Sequence, residues 1–177
     1  MRIIALVIIL CSLANCINAA GDLRKPKRSF TIDNHFKVWY EINTKAGTFT
    51  AVIECYHPRV WFGLGLGTRM LGADITVLQI RGNTVDVSDR RGPNHAMPQT
   101  DVSLGGKNDV TRLGYEVTDS KTTVKIRRRL NTGDTTAGDK VIKAGPTDFI
   151  WAYGSGPDLA YHGRNQRGIV RKTLVAN

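Results

Sequence analysis

Apolar residues recur at every second position through the first half of this chain, and this alternation constrains the fold more than any other feature. Two stretches, residues 36–42 and 48–55, place apolar side chains on one side only: Phe36, Val38, Tyr40 and Ile42 in the first, and Phe49, Ala51, Ile53 and Cys55 in the second. A period of two is the repeat of a β-strand, whose successive side chains point to opposite faces. Ala46-Gly47 between the stretches is typical of a hairpin turn. The pattern therefore predicts two paired strands, each with one buried face.

The rest of the chain continues in short apolar stretches separated by turn residues. Further strands are predicted at residues 60–67, 75–80, 84–87, 112–117, 122–130, 149–153 and 168–174. Gly, Asn, Asp and Pro lie between them, and after residue 20 no window of eleven or more residues has the periodicity of a helix. Many short strands with frequent turns predict an all-β fold, an antiparallel sandwich or barrel.

The N-terminus has the layout of a secretory signal peptide. Arg2 precedes an apolar run of about ten residues and then small residues up to Ala19 and Ala20, where we expect cleavage. That run is shorter than the roughly 20 residues that cross a bilayer, which favours a cleaved signal peptide over the alternative of an uncleaved anchor. We therefore predict a signal peptide at 1–20, a basic flexible segment at 21–29 and one β-sandwich domain at 30–177. No later segment is apolar enough to span a membrane, which predicts an extracellular or secretory-pathway lumenal protein.

The cysteines and the charge narrow the function classes. Cys11 and Cys16 fall in the predicted signal, so Cys55 has no partner for an internal disulfide, and its alternation with Ile53 favours burial over an intermolecular bridge. The formal net charge is +10. The basic clusters, residues 24–28 and 127–129, are either a solvated face or a site for an anionic polysaccharide or acidic partner. Nucleic acid is not expected as a partner of a secreted protein.

Arrangements that would indicate an enzyme are missing from the sequence. The four histidines, His35, His57, His95 and His162, are not linked by a metal-ligating spacing. Gly67 and Gly72 have the separation of a phosphate-binding loop, but Ala73 follows where that loop needs Lys. The chain is therefore expected to be a carrier or binding module rather than an enzyme acting alone.

Two other features leave alternatives open. Alternate glycines at Gly63, Gly65 and Gly67 either let a flat ligand approach the strand or let another element pack closely on it. Met70 and His162 each lie in a glycine-flanked loop. A thioether with an imidazole is an axial ligand set of electron-transfer haems, but a single Met is commonly core filler.

Several motifs together resemble the DOMON domain family over about residues 30–172. They are residues 36–41 (FKVWYE), 61–67 (WFGLGLG) with Met70 and 72–74 (GAD), 85–89 (VDVSD), 128–134 (RRLNTGD), and 150–154 (IWAYG) with 161–163 (YHG) and 167–168 (RG). The resemblance implies an immunoglobulin-like antiparallel β-sandwich of extracellular or lumenal type. Some members of the family hold a b-type haem through one Met and one His, as in the cytochrome domain of cellobiose dehydrogenase and in modules associated with cytochrome b561. Others lack these ligands.

The resemblance also implies a set of site residues. The family's Met position falls on Met70 and its His position on His162, which implies non-covalent binding of haem b through these two ligands. The walls of the haem pocket are then expected from Phe62, Leu64, Gly65 and Trp151, and the partners of the haem propionates from Arg69, Arg164 and Arg167. Arg128 lies on the apolar side of its predicted strand. It requires either a buried carboxylate or a propionate as partner, or a bulge that turns it outward.

Two functions follow as hypotheses. The first is a secreted, stand-alone b-type cytochrome that exchanges electrons with a separate redox protein, a membrane cytochrome or a monooxygenase being the candidate classes. The second is a haem-free extracellular binding module that recognises carbohydrate or protein through the basic clusters and exposed aromatic residues such as Trp39, Trp61 and Tyr161.

Overall fold

The structure is a computed structural model that describes residues 21–56, 60–94 and 96–177. The predicted signal peptide lies outside the described residues, as do His57 and His95. In the described part of the chain, no helix has the length and the apolar character that crossing a membrane requires.

The described residues form two antiparallel sheets that pack face to face. The first sheet has the strand order β1-β2-β3-β9-β8 and the second β11-β10-β4-β5-β6-β7. The strands are β1 (Arg28–Ile32), β2 (Phe36–Asn43), β3 (Thr48–Cys55), β4 (Trp61–Leu66), β5 (Asp74–Arg81), β6 (Thr84–Arg91), β7 (Gln99–Thr100), β8 (Thr111–Val117), β9 (Thr122–Arg129), β10 (Gly145–Gly154) and β11 (Arg167–Leu174), with a single-turn 3-10 helix at Asp101–Leu104. The all-β, immunoglobulin-like antiparallel sandwich is confirmed.

The predicted alternation sets the inner faces of the sheets. In β2 every second residue is buried, and the inner side of β3 carries Phe49, Ala51, Ile53 and Cys55. The other side of β3 is also buried, which differs from the single buried face that was predicted for it. Gly47 has a φ of 64° in the turn that joins β2 and β3, a conformation that glycine adopts without steric cost. Cys55 is 1% exposed, so its predicted burial is confirmed.

The centre of the core is formed by aromatic rings from both sheets. Phe36 of the first sheet stacks on Phe62 of the second, with ring centroids 3.9 Å apart, and both side chains are fully buried. Burial of two large rings and their direct stacking is the kind of contact that holds two sheets in a fixed relation. β4 is therefore anchored on its inner side by Phe62.

Several strands differ from the prediction. β6 runs to Arg91 rather than residue 87 because it pairs with β5 along its whole length, although its second half is polar. β1 and β7 were not predicted. β1 has only Phe30 and Ile32 as buried apolar residues, too few to show a period, and its strand is defined by pairing with β2.

The segment before β1 lies against the first sheet. The Lys25 ammonium is 2.9 Å from the Glu54 carboxylate, and the Lys125 ammonium donates to the carbonyl oxygen of Asp22 at 2.7 Å. The domain boundary predicted at residue 30 falls inside β1.

Arg128 points into the sandwich. It is 5% exposed, β9 pairs with β3 without a bulge at this position, and one guanidinium nitrogen donates to both carboxylate oxygens of Asp74 at 2.9 Å. Of the three arrangements open at the level of sequence, the structure shows the buried carboxylate partner.

Candidate functional site

A cavity of about 960 Å³ lies on the outer face of the second sheet. Strands β4, β5 and β10 form its floor, and residues 68–70, 96–98 and 159–164 form its rim. This volume is at the upper end of the range of about 300–1,000 Å³ that pockets for small molecules and cofactors occupy. The cavity is large enough to be considered a ligand site.

The pleat of β4 divides its residues between the core and this cavity. Phe62, Leu64 and Leu66 face the first sheet, whereas Trp61, Gly63 and Gly65 alternate with them and line the cavity. The glycines lower the floor at its centre. The glycine alternation in this strand therefore keeps bulky side chains off part of the outer face.

The two glycines of the floor are not equivalent. A Cβ atom on Gly65 would lie 2.9 Å from Cγ1 of Ile75 and 3.0 Å from Cγ1 of Ile150, so these two neighbouring side chains already fold over it. A Cβ atom on Gly63 would have Cγ2 of Ile75 as its nearest neighbour across the sheet, at 3.6 Å, which is ordinary van der Waals contact. Close packing accounts for Gly65, and Gly63 leaves open surface toward the cavity.

Met70 reaches the cavity from the loop between β4 and β5. Its carbonyl oxygen accepts a hydrogen bond from the Ala73 N–H at 3.0 Å, which closes a turn, and Gly72 follows with a φ of 71°. The side chain packs against the small apolar cluster of Ala73, Ile75 and Val77 on the cavity floor. The thioether is therefore held over the sheet by a short turn rather than by a regular element.

His162 reaches the same cavity from the loop between β10 and β11. Its Nδ1 donates to the carbonyl oxygen of Gly163 at 2.6 Å, so the Nε2 atom carries the lone pair. A backbone carbonyl on one ring nitrogen is the usual arrangement by which a metal-ligating histidine is oriented. Met70 and His162, which are far apart in the sequence, line one cavity.

Three arginines surround these two side chains. Arg69, Arg164 and Arg167 all line the cavity. The ion pairs found among the described residues give none of them a carboxylate partner. The rim can therefore form forked, charge-assisted hydrogen bonds to an anionic ligand.

The structure does not bring all the predicted wall residues to this cavity. Phe62 is fully buried in the core, and Leu64 packs against the core from the same side of β4. Trp151 contributes to the cavity lining. It pairs with Leu64 in the sheet register, and its ring lies over Gly168. The ring also stacks on Tyr153, at a centroid distance of 6.2 Å. Gly65, Met70, His162 and the three arginines do line the cavity.

Other residues form the apolar walls, and the sequence contained a signal for them. The walls come from Trp61, Ile75, Val77 and Ile150. Residues 75–80 are apolar on both sides of the strand, with Ile75 and Val77 on one face and Leu78 and Ile80 on the other. A strand that is apolar on both faces indicates that its outer face is also covered.

Comparison with known proteins identifies the fold. The family model described as the DOMON domain matches residues 32–154. The chain is similar in structure to the cytochrome domain of Myriococcum thermophilum cellobiose dehydrogenase, with a TM-score of 0.64 and 16% identity over 84% of this chain and 81% of that chain. It is also similar to the cytochrome b domain of pyranose dehydrogenase from Coprinopsis cinerea, with a TM-score of 0.64 and 18% identity over 82% and 80% of the two chains. At these identities, the likeness to the solved structures shows a shared fold.

Proposed function

We propose, from the premise that this chain belongs to the DOMON domain family, that it is a b-type cytochrome domain that binds haem non-covalently and transfers electrons. The proposal is supported above all by the observation that Met70 and His162 line the same cavity. A thioether and an imidazole are one pair of protein ligands that low-spin electron-transfer haems use.

The residues of the cavity fit such a group. The hydrogen bond from Nδ1 of His162 to Gly163 leaves Nε2 available for iron, and the Met70 sulfur is a second soft donor. The apolar floor of Ile75, Val77 and Ile150 suits the face of a porphyrin. Met70 and His162 would hold a haem there, and the haem would supply a one-electron redox centre.

The remaining residues of the site set the environment of that centre. The arginines Arg69, Arg164 and Arg167 would neutralise carboxylates at the rim. With a haem bound, the apolar walls would shield it from water, which would raise the effective strength of charge interactions beside it. No group in this set is arranged as a base and nucleophile pair, so the site supports electron transfer rather than hydrolysis.

We also propose where this protein functions and what kind of partner exchanges electrons with it. The signal-like pattern of residues 1–20 supports export to the secretory lumen or the cell exterior. The two solved structures are cytochrome domains of dehydrogenases, which supports a role in electron exchange with a separate redox protein. Tyr161 is 76% exposed with its ring centroid 5.0 Å from that of His162, so the His162 side of the cavity is where a partner would approach.

The visible spectrum tests the proposal. Purified protein supplied with haem is expected to show sharp Soret and α bands after reduction, and the bands should be lost or shifted in Met70→Ala and in His162→Ala. Met97→Ala is the matched control, because Met97 is a second thioether in the same cavity and is 57% exposed. A colourless wild-type protein, or bands that respond to Met97→Ala and not to Met70→Ala, would contradict the assignment.

The alternative of a haem-free binding module has less support from the aromatic residues that motivated it. Trp61 is 4% exposed and serves as a cavity wall. The ring of Trp39 is approached by the ammonium groups of Lys25 and Lys37 at 4.2 Å and 4.7 Å from its centroid. Retention of colourless protein on a heparin column at physiological salt would favour this alternative.

A further inference from the structure

Four aspartates converge between the two sheets, away from the cavity. Asp74 begins β5, Asp89 lies in β6, and Asp139 lies in the segment before β10. Each offers a carboxylate oxygen, and these oxygens lie within 4.8 Å of one another. Asp101, the first residue of the 3-10 helix, is 2% exposed and belongs to the same group of interacting charges. We refer to these four residues as the aspartate cluster.

Asp89 is the member of the cluster that the protein itself does not satisfy. Its residue is 1% exposed, and neither of its carboxylate oxygens has a hydrogen-bond partner among the described residues. One oxygen of Asp101 is in the same state. Buried polar atoms are almost always hydrogen-bonded, because a buried carboxylate without a partner is very unfavourable. Two such residues in one cluster indicate that a ligand completes it.

The charge of the aspartate cluster indicates that this ligand is positively charged. Arg128 is the one cation that forms ion pairs with it in the described part of the chain, and its guanidinium is bonded to Asp74 at 2.9 Å and lies 3.5 Å from Asp139. Burial and the neighbouring charges of Asp74 and Asp139 raise the pKa of Asp89 to about 8. With all its carboxylates ionised, the cluster would carry more negative charge than this single guanidinium can balance.

We propose that the aspartate cluster binds a divalent cation, Ca²⁺, with Asp89 and Asp139 as ligands, Asp74 shared between the cation and Arg128, and Asp101 beside them. All donors are oxygens, which suit hard cations and not the softer metals that require thiolate or imidazole. Ca²⁺ accepts six to eight oxygens in flexible geometry, whereas Mg²⁺ demands a near-ideal octahedron. The ligands come from strands β5 and β6 and from the segment before β10, and a cation would therefore tie this segment to the second sheet.

The site is independent of the proposed haem function, and calorimetry tests it directly. Titration of CaCl₂ into chelator-treated protein is expected to show one binding event per chain in the wild type. At a Ca²⁺ concentration about 100 times the dissociation constant, the unfolding temperature should rise by about 5–10 °C. Mg²⁺ should bind at least about tenfold more weakly.

Two variants separate the site from unspecific binding. Asp89→Asn keeps the shape of the side chain and should lose at least about tenfold in Ca²⁺ affinity together with the rise in unfolding temperature. Asp86→Asn is the matched control, since Asp86 is on the same strand but is exposed and bonded to Arg81 at 2.7 Å. The control should bind Ca²⁺ as the wild type does. Asp139→Asn provides a second variant if Asp89→Asn does not fold, as judged by circular dichroism.

Three results would overturn the proposal. The first is a wild type without heat of binding and without a shift of unfolding temperature up to about 10 mM Ca²⁺, which exceeds the dissociation constants of extracellular calcium modules. The second is equal binding by the wild type and by both cluster variants. The third is tighter binding of Mg²⁺ or Zn²⁺ than of Ca²⁺.

Discussion

Replacing Gly92 by alanine tests how the Met70 loop is held. Gly92 follows β6, and its N–H donates to the carbonyl oxygen of Ala73 while its own carbonyl oxygen accepts from the Gly72 N–H, both at 2.8 Å. A Cβ atom on Gly92 would overlap the carbonyl oxygen of Met70 and lie 3.2 Å from Cδ1 of Ile75. Gly92 does not have a positive φ, so alanine is strained there by contact alone.

The cost can be worked out from these contacts. The overlapping atom belongs to the backbone, which cannot rotate away as a flexible side chain does, so the 70–73 turn has to move away from residue 92. That movement breaks the two hydrogen bonds to Gly92, and each contributes about 0.5–1.5 kcal/mol net. We expect Gly92→Ala to lower the free energy of unfolding by about 2 kcal/mol and the unfolding temperature by about 4–8 °C.

The same movement should displace the Met70 sulfur. In haem-loaded protein, the reduced spectrum of Gly92→Ala is therefore expected to lose the features that depend on Met70, while the His162 loop stays in place. The measurements are urea unfolding followed by circular dichroism and the visible spectrum of the reduced protein. The free energy of unfolding reports on the turn at residues 70–73, and the visible spectrum reports on the Met70 sulfur as a haem ligand.

Gly63→Ala is the matched control. Gly63 lines the same cavity, but a Cβ atom there would have its nearest neighbours at 3.6 Å and 3.8 Å, in Ile75 and Val77. We expect its free energy of unfolding to change by less than about 1 kcal/mol. If Gly92→Ala matched the wild type in both measurements, or if the two variants behaved alike, the account of the Met70 loop would be refuted.

Three further predictions concern the scaffold. Phe62→Ala should lower the free energy of unfolding by about 3–5 kcal/mol because it leaves a cavity in the core. The visible spectrum of the haem-loaded, folded fraction should match that of the wild type, since Phe62 faces the core. A changed spectrum would contradict this placement. Arg128→Met should cost about 3–5 kcal/mol because it leaves Asp74 buried without its ion pair, and thermal unfolding that matches the wild type would count against that pair. Burial raises the pKa of Glu54, but hydrogen bonds led by the one from Lys121 outweigh burial and lower this pKa below its ordinary value of 4.5. The ionised Glu54 therefore contributes to stability above pH 4.5, and this contribution is lost as the pH falls through the lowered pKa. Acid titration of stability should show a smaller loss in Glu54→Gln than in the wild type.

Much of the fold was predictable from periodicity. The alternation in residues 36–42 and 48–55 identified both the strands and their buried faces, since a strand has only two sides and burying one of them requires a period of two. β6 shows the limit of this signal. Its second half contains Ser88, Asp89 and Arg90, and it is a strand because β5 provides a partner for its backbone.

The candidate site was predictable only in part. Gly65, Met70, His162 and the three arginines line one cavity, whereas Phe62 and Leu64 face the core. The same alternation that identified β4 as a strand separates Phe62 from Gly63, so the glycine side and the phenylalanine side cannot both face one ligand. The aspartate cluster had no sequence signal, because Asp86 and Asp89 are alike in sequence and differ only in burial.

The order of residues along the chain by itself determined which segments become strands, which side of each strand is apolar, and the types of donor atom available. These are local properties, since they depend on side-chain chemistry at a spacing of one or two residues. Only the tertiary structure decided that Met70 and His162 line the same cavity and that the carboxylates of Asp74, Asp89 and Asp139 come together, two of them paired with Arg128. Contacts between distant segments depend on strand order and register, which are set by the packing of both sheets together and not by any one stretch of sequence.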